Sequence, residues 1–236
     1  KLAAFLADLG NFVLIVDLDP QANATSGLGL DHQTIPVGVY EGLIGSHPMR
    51  KLIHNTKHDG LKIVPATQSL AGASVELVTA PEREHFLRKA LLEVRNDFDY
   101  ILIDNPPSLG MLTINGLVAS DSVLIPVQAE YYALEGLTQL LNTINLVKEH
   151  LRPDLEVMGA GITMYDSRTR LSKEVLEELY RYFPDKIFRS VIPRSVRLAE
   201  APSFGKSILG YDPTSRAAKA YERLAKEFIL REEGFV

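Results

Sequence analysis

The sequence predicts an α/β fold: one three-layer, doubly wound domain built on a mainly parallel sheet. Apolar runs at 12–16, 100–103, 122–127 and 157–163 are nearly continuous in Val, Ile and Leu rather than alternating. Strands buried on both faces of a parallel sheet read this way. Helical periodicity fills the gaps, at 82–95, 134–150 and 171–183, and strands alternating with helices imply right-handed βαβ crossovers.

Taken in order, residues 1–9 read as the second half of an amphipathic helix with Gly10 as its left-handed stop. The run at 12–16 is the first strand. Residues 61–65 (LKIVP) and 187–192 are weaker strand candidates. The last helix covers 217–232, with Asp212 as its expected N-cap and Pro213 in its first turn. No repeat, low-complexity tract or linker rich in Gly, Ser or Pro divides the chain, so residues 1–236 are expected to form a single domain.

Composition narrows the function classes. With 46% hydrophobic residues in 236, the chain can bury one substantial core. Its 25 basic and 30 acidic residues give a net charge of −5, against a globally basic nucleic-acid binder but compatible with a local basic patch. The absence of cysteine excludes disulfides, thiolate zinc sites, iron–sulfur clusters and cysteine nucleophiles. No apolar run has the length of a membrane span and no signal peptide opens the chain, so a cytoplasmic protein is expected.

The chemistry is expected where strands end. In open parallel sheets, ligands bind beyond the carboxyl ends of the strands. FVLIVDLDPQANATSG places Asp17 and Asp19 at one strand end, before Pro20. YILIDNPPSLG places Asp104 at another, with Pro106 and Pro107 breaking the chain just after. Carboxylates so placed can hold Mg²⁺ through its waters and orient an attacking water. An aspartate after one strand would read as a loop cap. Two strands with the same pattern, each followed by a glycine-containing polar loop, point to a nucleotide–metal site.

These stretches carry a family resemblance. VDLDPQANATSGLG resembles the switch I signature of the deviant Walker ATPases, which usually has Gly at the position of Ala22. YILIDNPPSLGMLTINGL resembles their Walker B and switch II, where Cys is common at the position of Asn105. DSVLIPVQAEYYALEGLTQLLNTI, TMYDSRTRLS, VIPRSVRLAEAPSFGK and YDPTSRAAKAY are similar to the chromosomal partitioning branch, the ParA/Soj family. The similarity covers nearly the whole chain.

The resemblance implies a P-loop NTPase-like fold and an ATPase using ATP and Mg²⁺. It assigns Asp19 to hydrolysis as the residue positioning water, and Asp17 and Asp104 to the surroundings of Mg²⁺. It places Pro193 and Arg194 near the adenine, and Arg168 and Arg197 on non-specific DNA. It further implies an ATP-sandwich homodimer, in which a phosphate-loop lysine reaches the partner's nucleotide. A ParB-like centromere-binding partner and a nucleoid-associated location in the cytoplasm also follow. The family's KGGxGKT-type loop and the strand before it are not among these residues and are expected upstream of Lys1; without them the chain is expected to be inactive. Gly205–Lys206–Ser207 lacks the preceding strand and glycine spacing of such a loop.

Arg168, Arg170, Arg189, Arg194 and Arg197 gather in the C-terminal third. Without an aromatic platform or recognition helix, DNA contact there would be with phosphates, sequence-independent and salt-sensitive. A positive patch on each of two subunits would add. Two alternatives stand beside the partitioning ATPase. A MinD-like membrane-positioning ATPase needs a basic amphipathic C-terminal helix, whereas KEFILREEGFV carries three acidic and two basic residues. A non-enzymatic fragment binding DNA and a partner would need no phosphate loop.

Overall fold

The computed structural model describes residues 1–130 and 133–235; Tyr131 and Tyr132, within the YYALEG stretch, and Val236 lie outside them. The strands are β1 (Val13–Asp17), β2 (His54–Asn55), β3 (Leu61–Val64), β4 (Tyr100–Asp104), β5 (Ser122–Gln128) and β6 (Glu156–Thr163). The helices are α1 (Leu2–Asp8), α2 (Asn23–Gly27), α3 (Val39–Leu43), α4 (Leu70–Glu76), α5 (Phe86–Leu91) and α6 (Met111–Ala119). After these come α7 (Ala133–His150), α8 (Arg170–Tyr182), α9 (Val196–Glu200), α10 (Ile208–Tyr211) and α11 (Arg216–Glu232). Among the described residues no helix is long and apolar enough to cross a membrane.

β1 shows why its sequence is apolar throughout. Val13 and Ile15 point into a core closed by α1 and α11, while Leu14 and Val16 point into the opposite core with α3, α4 and α5. A strand covered on both faces needs no polar alternation, and each fully buried Leu, Ile or Val contributes roughly 1.5–3 kcal/mol. A third core packs Ile125, Val127, Ala160 and Ile162 against α7 and α8. The result is helix, sheet and helix in three layers.

The strands form two sheets, ordered β2-β3-β1-β4 and β5-β6. All pairings are parallel except the short β2–β3 pair. Among the described residues β4 pairs only with β1, and β5 only with β6, so each keeps one unpaired edge. Both strands line, along their full length, a cleft of about 1280 Å³. β1 is buried throughout, but the residues of β4 are half-buried and Asp104 is exposed.

Three expectations need correction. The segment at 187–192 is not a regular strand, although it runs beside β6: Phe188 N–H donates to Ala160 O at 2.8 Å and Ile192 N–H to Ile162 O at 3.0 Å. Between them the ladder is interrupted, because Arg189 and Ser190 N–H donate to the Glu227 carboxylate of α11 at 2.7 and 2.9 Å. The helix expected at 82–95 is continuous only over α5. Asn115 of α6 accepts from Leu87 N–H at 3.1 Å and donates to Arg83 O at 2.8 Å, taking up the groups that an earlier helical turn would use. Finally, the cap of α11 is Ser215, whose Oγ accepts from Ala218 N–H at 3.1 Å. Asp212 sits one turn earlier and its carbonyl accepts from Ser215 Oγ.

Candidate nucleotide site at the strand ends

β1 and β4 run parallel with Asp17 in register with Asp104. Leu18 N–H donates to Asp104 O at 2.9 Å, which carries the β1–β4 pairing into the loop beyond. The two carboxylates therefore sit side by side at one sheet edge, and Asp19 begins the loop above them.

Their environments differ. Asp17 is fully buried. Its Oδ1 accepts from Asp19 N–H at 3.1 Å; its Oδ2 accepts from Thr25 N–H at 2.8 Å and Thr25 Oγ1 at 2.7 Å. Burial raises its pKa to about 6, the Thr25 hydrogen bonds oppose the rise, and the charge of Asp104 adds to it. Asp104 opens onto the cleft and takes part in no side-chain hydrogen bond among the described residues. The surrounding protein still desolvates its carboxyl enough to raise the pKa, and the charge of Asp19 adds to this. Beside it, Asn105 Oδ1 is a buried acceptor without a partner, and it packs so closely on α6 that a Cβ at Gly116 would stand 1.9 Å away.

Asp19 is 9% exposed and folded into its own loop. Its Oδ1 accepts from Gln21 N–H at 3.0 Å and its Oδ2 from Asn23 Nδ2 at 3.3 Å. Ala22, where the family usually has Gly, adopts a left-handed conformation with φ of 53°, which explains the preference for glycine there.

The donor set suits a nucleotide-borne divalent cation. Mg²⁺ keeps several waters and takes oxygen from one or two carboxylates. Asp104 offers an uncommitted carboxylate on the cleft, whereas the Asn105 oxygen is buried against α6. No cluster of three or more His, Cys, Asp or Glu able to cage a metal occurs among the described residues.

The buried Asp17 has a consequence for stability. A carboxyl whose folded pKa lies above its unfolded value favours folding when protonated, so that contribution is complete below about 4 and is lost as pH rises through about 6. The displacement from 3.8 to about 6 corresponds to roughly 3 kcal/mol. Asp17→Asn is expected to flatten the dependence of urea unfolding on pH between those limits. An unaltered pH profile in the variant would assign the dependence to other groups.

The remaining expected residues lie along the ends of β5 and β6 and beyond. Pro193 bridges Tyr165 in parallel register just past β6, and Arg194 N–H donates to Tyr165 O at 3.0 Å. Arg194 Nη2 reaches Glu130 Oε1 at 2.8 Å, and Glu130 lines the same cleft as Asp104. Arg168 is exposed and makes a two-pronged contact with Asp166, at 2.9 and 2.7 Å. That contact holds the Asp166 pKa down at about 2. Arg197 is exposed on α9, 3.5 Å from Glu200 and 3.7 Å from Asp212, with its guanidinium 6.0 Å from the Tyr211 ring centre.

Sequence reasoning missed Thr25, Asn23 and the Glu227 clamp. The run NATSG reads as an ordinary polar loop, and no spacing rule says that its threonine turns inward.

Comparison with known proteins gives the family and the fold. A family model described as an AAA domain matches residues 1–157. The chain is 54% identical over 227 residues to the sporulation initiation inhibitor protein Soj of Bacillus subtilis, covering 96% of this chain and 90% of that one. It is 50% identical over 232 residues to the chromosome partitioning protein ParA of Myxococcus xanthus, covering 98% and 82% respectively. Its fold matches cobyrinic acid a,c-diamide synthase from Mycobacterium smegmatis, solved with bound ATP analog and magnesium. There the TM-score is 0.86 at 36% identity, over 98% of this chain and 87% of that one. A putative plasmid partition protein from Borrelia burgdorferi bound to AMPPNP matches with a TM-score of 0.79 at 25% identity, over 97% and 91%. The two aspartate-ended strands, the three-layer fold and these relatives together place the chain in the Soj/ParA family of chromosome-partitioning ATPases.

Proposed function

We propose that this chain is the core of an ATP-hydrolysing DNA-partitioning switch. The observation that carries the reading is the register of Asp17 with Asp104 at the sheet edge, with Asp19 in the loop above them. When bound, Mg²⁺–ATP supplies the electrophilic phosphoryl group and neutralises its developing charge. Asp104 would hold the metal through its waters. Asp17 holds the loop and would add its charge to the metal's surroundings from beneath it. Asp19 orients the attacking water. Pro193 and Arg194 flank the base.

β4 and β5 both line the cleft, and among the described residues neither pairs with a second strand. The family's first strand and glycine-rich phosphate loop would fit the cleft: the strand would pair with both edges, and the loop would emerge beside Asp104. In that arrangement ATP is sandwiched between two subunits, and the dimer binds DNA without regard to sequence. A ParB-like partner stimulates turnover, and the protein works on the nucleoid.

Arg168 and Arg197 are the proposed phosphate contacts. Arg168→Ala or Arg197→Ala is expected to weaken binding to any duplex alike. Each lost contact should flatten the log–log salt slope by about 0.9. ATPase activity without DNA should be retained. A loss confined to one DNA sequence would replace phosphate contact with base readout.

A further inference from the structure

We propose that Thr25 is a positioning residue for hydrolysis: its hydroxyl is the joint that fixes the Asp19 loop to the ends of two strands. The inference rests on the reading of Asp19 given above. Asp17, at the end of β1, is buried and draws all its side-chain hydrogen bonds from Asp19 N–H and from Thr25. Thr25 is itself fully buried, although it lies on a five-residue helix at the surface of the sheet edge. Its Oγ1 donates to Asp17 Oδ2 at 2.7 Å and accepts from Ala66 N–H at 3.1 Å. Ala66 follows Pro65 at the exit of β3. A hydroxyl is suited to both tasks, since it carries one donor and two lone pairs. The loop from Leu18 to Ala24 is therefore pinned at both ends through one buried carboxylate.

Within that loop the carboxylate of Asp19 is held only by Gln21 N–H and Asn23 Nδ2, both neighbours in the same loop. Outside the loop, Leu18 N–H is bonded to Asp104 O at 2.9 Å and Leu18 and Ala22 are buried in the core, and the Asp17–Thr25 joint adds the side-chain tie that fixes the far end of the loop to β1 and β3. If the hydroxyl is removed, Ala66 N–H and Asp17 each lose a partner, and the loop loses its anchor to β3. A misplacement of about 1 Å in a group that orients a reactant can cost about 10²-fold in rate.

The test compares Thr25→Val, which keeps shape and loses the hydroxyl, with Thr25→Ser, which keeps the hydroxyl. Both are made in a polypeptide carrying the family's glycine-rich loop ahead of residue 1. For Thr25→Val, kcat for ATP is expected to fall by about 10–100-fold with KM changed by less than about threefold. Amide hydrogen exchange, measured without nucleotide, should speed up at Gln21, Thr25 and Ala66 while β4 stays protected. Thr25→Ser should resemble the parent in both measurements. Unchanged kcat and exchange in Thr25→Val overturn the proposal, as does an equal loss in both variants, which would assign the effect to the methyl group. If Thr25→Val does not fold, Thr25→Ser decides, and a tenfold loss in its turnover overturns the hydroxyl's role. Asp19→Ala made alongside separates the two claims. If its turnover is normal, the assignment of Asp19 fails, whereas the loop's exchange behaviour reports on the joint alone.

Discussion

Asp19→Ala is expected to lower ATP turnover by about 10²-fold or more, in a polypeptide that includes the phosphate loop, while nucleotide affinity stays within a few-fold. A carboxylate that orients water interacts with a group that becomes important only as the phosphoryl transfer proceeds. Its removal therefore raises the barrier without weakening the ground-state complex. The structure adds a reason for the variant to fold normally. Asp19's side chain makes only local contacts, with Gln21 N–H and Asn23 Nδ2, whereas the buried bonds that fix the loop belong to Asp17 and Thr25. Asp19→Asn is a second probe: it keeps the shape and the capacity to accept from Gln21 N–H but loses the charge. Steady-state hydrolysis and binding of a fluorescent ATP analogue, measured on the same preparations, separate the two effects. Parent-level turnover in Asp19→Ala would remove Asp19 from the mechanism.

Much of the frame behind this prediction was legible in the residues. β1 is apolar at every position before Asp17 because both of its faces meet helices, and that pattern is visible as an unbroken VLIV; Phe12, expected to open the strand, is exposed just ahead of it. Asp17 and Asp104 are the last residues of β1 and β4; the buried Asp17 is tolerated there because Asp19 N–H and Thr25 satisfy its carboxylate, and Asp104 because it is exposed. α8 and α11 were legible within a residue or two from their 3.6-residue period.

What escaped the sequence are interactions between distant side chains and backbone. Glu227 takes the N–H groups of Arg189 and Ser190, so a segment with strand-like composition leaves the β6 ladder. Arg231 reinforces the clamp: it pairs with Glu227 at 3.3 Å, donates to Ile187 O and lies 4.1 Å from the Phe188 ring centre. These residues are 37 or more positions apart in sequence, except within α11. The inward turn of Thr25 is equally invisible, because an amphiphilic residue in a polar loop carries no periodic signal.

The largest structural effect is expected at the cleft. A polypeptide of these 236 residues alone should neither bind ATP nor dimerise in response to it, and should be monomeric or prone to aggregation. Two parallel strands, β4 and β5, present unpaired backbone edges to a cleft of about 1280 Å³, and half-buried Leu102 and Leu124 line it. Exposed edges of this kind pair readily with other chains. Placing the family's strand and phosphate loop ahead of residue 1 would close both edges at once. Some eight new backbone hydrogen bonds at about 0.5–1.5 kcal/mol each, together with apolar burial, add at least about 5 kcal/mol. For a domain of this size that raises the melting temperature by more than about 10 °C. On the proposed reading that segment would also supply the N–H cradle for the phosphates and a lysine reaching a second subunit, so the extended protein is expected to pass from monomer to dimer with ATP and Mg²⁺. Size exclusion coupled to light scattering, run on both polypeptides with and without nucleotide, gives the answer together with a thermal melt. A well-behaved, ATP-dependent dimer from the 236-residue chain would show that nucleotide and subunit contacts are made by residues already present, and that the cleft has another purpose.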